Sequence, residues 1–263
     1  IAALNLDGVY LVKEAKRYYP YGNMLSHSLG YVGIDNQGLS GLELQYDKYL
    51  TGKSGAIKYF SDAKGNKLNL SDIYVEPQDG MNISLTVDIN IQKSLERELD
   101  NIVDMFSPDM ALAVVMDPNN GEILGMSSRP DYDPNSYQEY SQEVLSRNLP
   151  IWASYEPGST FKIITTSAAV EEGVVDLEKD HFYDSGSVNI DGSTLRCWKA
   201  GGHGEQTFLQ VLQNSCNPGF VKMGQLLGKQ TLFNYIDKFG FGNKTGIDLN
   251  GEGKGIIFDL NQV

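Results

Sequence analysis

The spacing of apolar and polar positions changes character about a third of the way along the chain. Up to residue 80 no long helical period is present: GYVGIDNQGLSGLE and LTGKSGAIKYF, rich in Gly, Tyr and Lys, read as short strands and turns. EPQDG, Glu76 to Gly80, is a cluster of turn residues and marks a domain boundary. Beyond it, NISLTV (Asn82 to Val87) alternates as a strand does. The next stretch, Asp88 to Phe106, places Ile91, Leu95, Leu99, Ile102 and Val103 at helical spacing, with Asp88 as the cap. MALAVVMDPNNGEILGMSS then predicts a strand, a turn at Asn-Gly and a returning strand.

A polar loop, SRPDYDPNSY, leads into a helix whose apolar stripe is Phe161, Ile164, Thr165, Ala168 and Ala169, ending at Gly173. A second hairpin-like region follows, then a Gly-rich loop, then a helix from about Pro218 to Leu227. Strands flanking helices on one sheet predict an α+β domain. The expected division is residues 1–80 as one domain and 81–263 as the other.

Composition narrows the function. Hydrophobic residues make up 41% and charged residues 21%, ordinary values for a globular protein. A net charge of −13 argues against nucleic-acid binding, which needs a basic face. The longest apolar run, Ala111 to Met116, is far too short to span a bilayer. The chain starts at Ile1 without a signal peptide and reads as a piece of a longer protein, so the lack of an anchor does not argue for the cytoplasm. Two cysteines, Cys197 and Cys216, exclude a disulfide-rich scaffold.

The candidate chemistry begins at EPGSTFK, where Ser159 and Lys162 stand three residues apart at a helix start. Residues so spaced share one helix face. A lysine desolvated there loses its proton more readily and can act as base for the serine, while the helix N-terminus favours negative charge at the serine oxygen. The motif alone decides nothing, since S-x-x-K arises roughly once by chance in a chain of this size. Ser61 and Lys64 match it too, in the polar turn SDAKGNK. S-x-N occurs at Ser146, Ser187 and Ser215, but only Ser215-Cys216-Asn217 lies between two apolar helical patterns, as an interior turn would.

YEPGSTFK followed by NSCN resembles the penicillin-binding proteins, the serine acyl-transferases that cross-link peptidoglycan. SLGYVGIDNQGLSGLELQYDKYLTGKSG is similar to the pedestal, a dimerisation-type domain, of the monofunctional class B members. SRPDYDPNSY and FGFGNKTGIDLNGEGKG match stretches flanking their active site, and HFYDSG and RCWKAGGHGE resemble the sporulation transpeptidases of endospore formers. The resemblance implies an incomplete α+β transpeptidase domain of the penicillin-binding protein and serine β-lactamase kind, with a strand-rich pedestal before it and its C-terminal part missing. It implies that Ser159 attacks the D-Ala-D-Ala carbonyl and Lys162 is its base. Ser215 would relay the proton, and Asn217 would bind the substrate amide and hold Lys162. β-Lactams would acylate the same serine. No cofactor is needed, a partner glycosyltransferase polymerase is expected, and the protein would be extracytoplasmic, held in the cell membrane by an N-terminal segment outside this chain. Neither Lys244-Thr245-Gly246 nor Lys53-Ser54-Gly55 fits the place of the family's third motif, K-[ST]-G, which is expected beyond Val263.

RCWKAGGHGEQTFLQVLQNSCN holds Cys197, His203 and Cys216 within twenty residues, and thiolate and imidazole are ligands that zinc prefers. Asp184 is the candidate fourth ligand of a structural Zn2+. A Cys197–Cys216 disulfide and two free thiols are the alternatives. Trp198 and the tyrosines are read as packing residues. Two rival functions stand beside the transpeptidase. A class D β-lactamase would share STFK but carry valine where Asn217 stands, and a non-catalytic β-lactam sensor or scaffold would acylate without transferring.

Overall fold

The computed structural model of the protein describes residues 15–58, 60–64 and 73–260, so parts of the expected pedestal and the end of SDAKGNK lie outside the described residues. The chain divides into two compact units, residues 1–153 with 247–252 and residues 154–246 with 253–263. The boundary read from the sequence at residue 80 falls inside the first of these.

In the first unit, α1 (Ser26–Leu29), α2 (Gly41–Gln45) and α3 (Asp47–Leu50) precede an antiparallel pair, β1 (Ala56–Lys58) and β2 (Ile73–Val75). GYVGIDNQG, expected to supply strand, forms only one bridge, Val32 to Gly38. Side-chain oxygens take its N–H groups: Gln37 Oε1 accepts from Asp35 N at 3.2 Å and Asp47 Oδ1 from Gly38 N at 2.7 Å, and this local bonding competes with a ladder. Residues 82–87 are likewise not a strand. Among the described residues the hydrogen bonds here are Thr86 Oγ1 donating to Ile123 O at 2.7 Å and, just after them, Asp88 N donating to Leu124 O at 2.9 Å.

The long helix α4 (Ile89–Phe106) begins as expected, the Asp88 carboxylate accepting from Asn90 N at 2.8 Å and Ile91 N at 3.1 Å. Its buried face differs from the expected stripe, since Gln92 and Glu96 are buried with Leu95 and Leu99 while Ile102 is exposed. The helix packs on β3 (Ala111–Met116) and β4 (Ile123–Arg129), the predicted hairpin. Gln92 pairs its amide with Met126 N and O at 2.9 and 3.0 Å, as a neighbouring strand would. Glu96 receives Arg129 Nη1 at 2.8 Å and Ser127 Oγ at 2.7 Å, so the buried charges are paired. Two short helices, α5 (Gln142–Ser146) and α6 (Leu149–Trp152), follow.

The second unit opens with a 3-10 turn, Gly158–Phe161, running directly into α7 (Lys162–Glu171). A hairpin of β6 (Ser187–Ile190) and β7 (Ser193–Arg196) is nested between β5 (His181–Asp184) and β8 (Gly204–Thr207), themselves an antiparallel pair. Three helices close the unit: α8 (Phe208–Gln213), started by a Thr207/Gln210 capping box, α9 (Asn217–Leu227) and α10 (Lys229–Lys238). Its core gathers Ala169, Val175, Phe208, Val211, Cys216 and Met223, with Ala168, Leu227 and Tyr235 in an adjoining cluster. Lys244-Thr245-Gly246 is not on a strand.

Candidate active site

Lys162 opens α7, whose buried residues are Ile164, Thr165, Thr166, Ala168 and Ala169; of the predicted stripe only Phe161 differs, half-buried in the turn before the helix, and Thr166 lies outside that stripe. The apolar stripe seats the helix and leaves Lys162 half-buried at its start. Ser159 lies in the preceding 3-10 turn rather than in α7, and is exposed. Lys162 N donates to Ser159 O at the end of that turn, but among the described residues no hydrogen bond joins the two side chains. Such contacts in unliganded sites often tighten only when substrate binds.

The second motif meets the first from the junction of α8 and α9. Ser215 takes a left-handed backbone, φ 49°, a conformation that costs a non-glycine residue on the order of 1 kcal/mol and is held by its surroundings. Those surroundings are rigid. Ser215 N and Cys216 N bond back to Leu212 O and Val211 O, both at 3.0 Å, and the Cys216 and Val211 side chains are fully buried. Pro218 enters α9 where no N–H is needed, and Gly219 allows α8 to approach, since a Cβ there would lie 2.5 Å from Val211 Cγ1.

Lys162 Nζ reaches Ser215 O at 2.9 Å, Ser215 Oγ at 3.0 Å and Asn217 Oδ1 at 2.6 Å. These are as many acceptors as an ammonium has hydrogens. The carbonyl and the amide oxygen can only accept, whereas a hydroxyl both accepts and donates. A proton shared between Lys162 and this wall therefore moves through Ser215 Oγ. The Asn217 amide is fixed from its other end, Nδ2 donating to Arg196 O at 3.2 Å, so its oxygen must face the lysine. Burial lowers the Lys162 pKa from its ordinary 10.5, and the sulfurs of Cys216 and Cys197 pull it back upward. The arrangement is a half-buried amine able to exchange a proton with a hydroxyl, one turn from an exposed serine.

Immediately behind this wall, Asp184, Cys197, His203 and Cys216 bring one ligand atom each to within 4.8 Å of the others. Cys197 Sγ lies 3.3 Å and Asp184 Oδ2 3.0 Å from His203 Nδ1, with Cys216 Sγ 3.3 Å from Asp184 Oδ2. Tetrahedral zinc bonds to S, N and O imply ligand-to-ligand edges of about 3.3–3.8 Å; the donor types suit that ion, and the separations here, from 3.0 Å up to a bound of 4.8 Å, bracket that range. Both cysteines are free, which sets the disulfide reading aside for this conformation. Burial, together with the Asp184 carboxylate, pushes the Cys216 thiol up to about 11. Burial also opposes the Asp184 charge, but hydrogen bonds from Cys197, from Gly186 N and from the ring and backbone of His203 hold it well below the usual carboxylate range. The loop closes tightly: at Gly202, φ 79°, a Cβ would lie 2.3 Å from Asp184 O.

Seven of the eight residues singled out from the sequence thus stand in two adjoining groups, Lys162, Ser215 and Asn217 in one and the Asp/Cys/His cluster in the other, while Ser159 lies one turn ahead of Lys162. Sequence reasoning missed two things. The Arg196 carbonyl orients Asn217, which no side-chain motif could reveal. Trp198, expected in packing, is 68% exposed, its Nε1 donating to Asn214 O at 2.7 Å. The chance matches fall away: Ser61 and Lys64 lie in an exposed turn, as expected.

Comparison with known proteins bears on what this geometry serves. Residues 111–262 match the penicillin binding protein transpeptidase domain and residues 2–85 the penicillin-binding protein dimerisation domain. The chain is 58% identical to stage V sporulation protein D of Bacillus subtilis, over all of this chain and 41% of that protein. It is 33% identical to the peptidoglycan D,D-transpeptidase FtsI of Escherichia coli, over 97% of this chain and 42% of that one. The chain thus spans less than half the length of either relative. Among solved structures, penicillin binding protein 3 of Mycobacterium tuberculosis superposes with a TM-score of 0.80 at 26% identity, covering 94% of this chain and 52% of the other. Penicillin binding protein 2X of Streptococcus thermophilus gives 0.76 at 27% identity, over 91% and 37%.

Proposed function

The chain belongs to the penicillin-binding protein transpeptidase family, and on that premise we propose that it carries the acyl-transfer site of a peptidoglycan D,D-transpeptidase. The observation that carries this reading is the seat of Lys162, whose amine is bound to Ser215 and Asn217 and, among the described residues, to no carboxylate. Ser159 Oγ attacks the carbonyl of the penultimate D-alanine, and its proton passes to Lys162. The proton then travels through Ser215 Oγ to the leaving D-alanine amine as the tetrahedral intermediate collapses. The acyl-enzyme is taken by an amine of a neighbouring stem peptide, or stays trapped when a β-lactam is the acyl donor. Asn217 has a second Nδ2 hydrogen left for the substrate amide. Residues 1–80 act as the pedestal and 81–263 as the transpeptidase part. The protein works outside the cytoplasmic membrane, anchored there, beside a glycosyltransferase polymerase, and its 58% identity to a sporulation protein supports a role in spore cortex synthesis. Among the described residues no helix is long and apolar enough to cross a membrane.

Asp184, Cys197, His203 and Cys216 hold a structural Zn2+ in this proposal. The Asp184 carboxylate and the Cys216 thiol, the latter pushed up to about 11, are buried side by side, and a thiolate beside that carboxylate calls for a cation between them. Acyl transfer needs no metal; bound zinc would fix Cys216, the middle residue of the second motif.

Intact mass and peptide mapping of the full-length protein after exposure to a penicillin test the reading. We expect a stable adduct on Ser159 that is absent from Ser159→Ala. Rapid turnover of the drug would favour a β-lactamase instead, and absence of any adduct on folded, metal-replete protein would favour a scaffold.

A further inference from the structure

The wall that holds Lys162 is two segments thick. Arg196 O accepts from Asn217 Nδ2 at 3.2 Å, Cys197 and Cys216 share the metal-ligand cluster, and Trp198 Nε1 donates to Asn214 O at 2.7 Å. Residues 196–198 therefore run antiparallel to 214–217, side by side with the catalytic motif. Cys197 points into the cluster and is buried, whereas Arg196, Trp198 and Lys199 are exposed.

Two features of this outer edge go unused in the fold. The Trp198 indole is fixed at its one polar atom and rests edge-on against His203, with ring centroids 5.3 Å apart, yet it remains 68% exposed. A large apolar surface already held in one orientation loses little entropy when something covers it. Second, on a chain of net charge −13, neither Arg196 nor Lys199 forms an ion pair among the described residues. Cations left without carboxylates on so acidic a protein suit a ligand that brings its own.

We propose that Arg196, Trp198 and Lys199 form the donor-binding rim of the site, the indole covering the apolar flank of an acyl-donor peptide and the two cations holding its carboxylates. This rests on the transpeptidase reading and adds to it what selects the donor. Because residue 198 is tied to Asn214 and its ring to His203, the rim is carried by the loop that the cluster folds.

Acylation of Ser159 in the metal-replete, full-length protein tests this, with two probes: a penicillin bearing a carboxylated aromatic side chain, and 6-aminopenicillanic acid, which lacks the side chain. Trp198→Ala and Lys199→Gln should each raise the half-saturating concentration of the first probe about tenfold, with the limiting acylation rate unchanged. The second probe should change less than about twofold. Equal effects on both probes, or none, overturn the rim. An unreactive wild-type protein instead overturns the transpeptidase reading beneath it. Where Trp198→Ala fails to fold, fluorescence decides: in a full-length background with every other tryptophan, Trp152 included, replaced by Phe, the emission of Trp198 should shift on acylation by the aromatic penicillin, and an unchanged spectrum sinks the proposal.

Discussion

Asn217 decides the proton traffic at this site, because both ends of its amide are committed. With Nδ2 on Arg196 O, only its oxygen can meet Lys162, and a neutral acceptor leaves the amine free to lose its proton. A carboxylate at that position would favour the ammonium instead. The sign for activity follows. Lys162 must be neutral to act as base, so acylation rises as pH climbs through its folded pKa, which burial places below 10.5. Asn217→Asp should move that rising limb to higher pH and slow acylation at neutral pH by about 10²-fold or more, the scale of a lost general base. Rates of β-lactam acylation across pH, compared with wild type, read the shift directly.

At the scale of elements, the site depends on how closely α8 and α9 approach. Val211 is fully buried and leaves no room for a Cβ at Gly219. Gly219→Ala should therefore cost about 1–3 kcal/mol through overpacking, despite alanine's better helix propensity. A urea midpoint unchanged or raised relative to wild type would show that the helices can separate freely. The same junction carries Ser215 in its left-handed conformation, so acylation should weaken along with stability. Within the first unit, α4 makes the contrasting case. Its partner is a hairpin with Gly125, Ser127 and Arg129 on the facing side, and it answers with Gln92 and Glu96 rather than with an unbroken apolar stripe.

For the molecule as a whole, a metal would turn a loop of glycines into a support for the catalytic wall. If zinc binds the folded state alone, free ion at about a thousandfold over its dissociation constant adds roughly 4 kcal/mol of stability. Chelation of the full-length protein should then lower the thermal midpoint and slow penicillin acylation together. Because the Cys216 thiol is pushed up to about 11, binding displaces protons at neutral pH, and competition with a chelator should show affinity falling as pH falls. Unaltered melting after complete metal removal would leave the free-thiol reading in its place.

What could be read without a structure were features with short-range causes. A cap such as Asp88, the stripe on α7, the hairpin at β3 and β4, and the S-x-x-K and S-x-N spacings all lie within a few residues, where backbone geometry fixes the outcome. The ligand types of Cys197, His203 and Cys216 were visible for the same reason. Tertiary structure alone decided which matches meet. It brought Ser215 and Asn217 to Lys162 across more than fifty residues of chain, drew Asp184 into the cluster and left Trp198 exposed. Among the described residues it also gave 82–87 no partner strand. Each of these outcomes depends on groups remote in sequence competing for the same hydrogen bonds and the same space, and no local pattern records who wins.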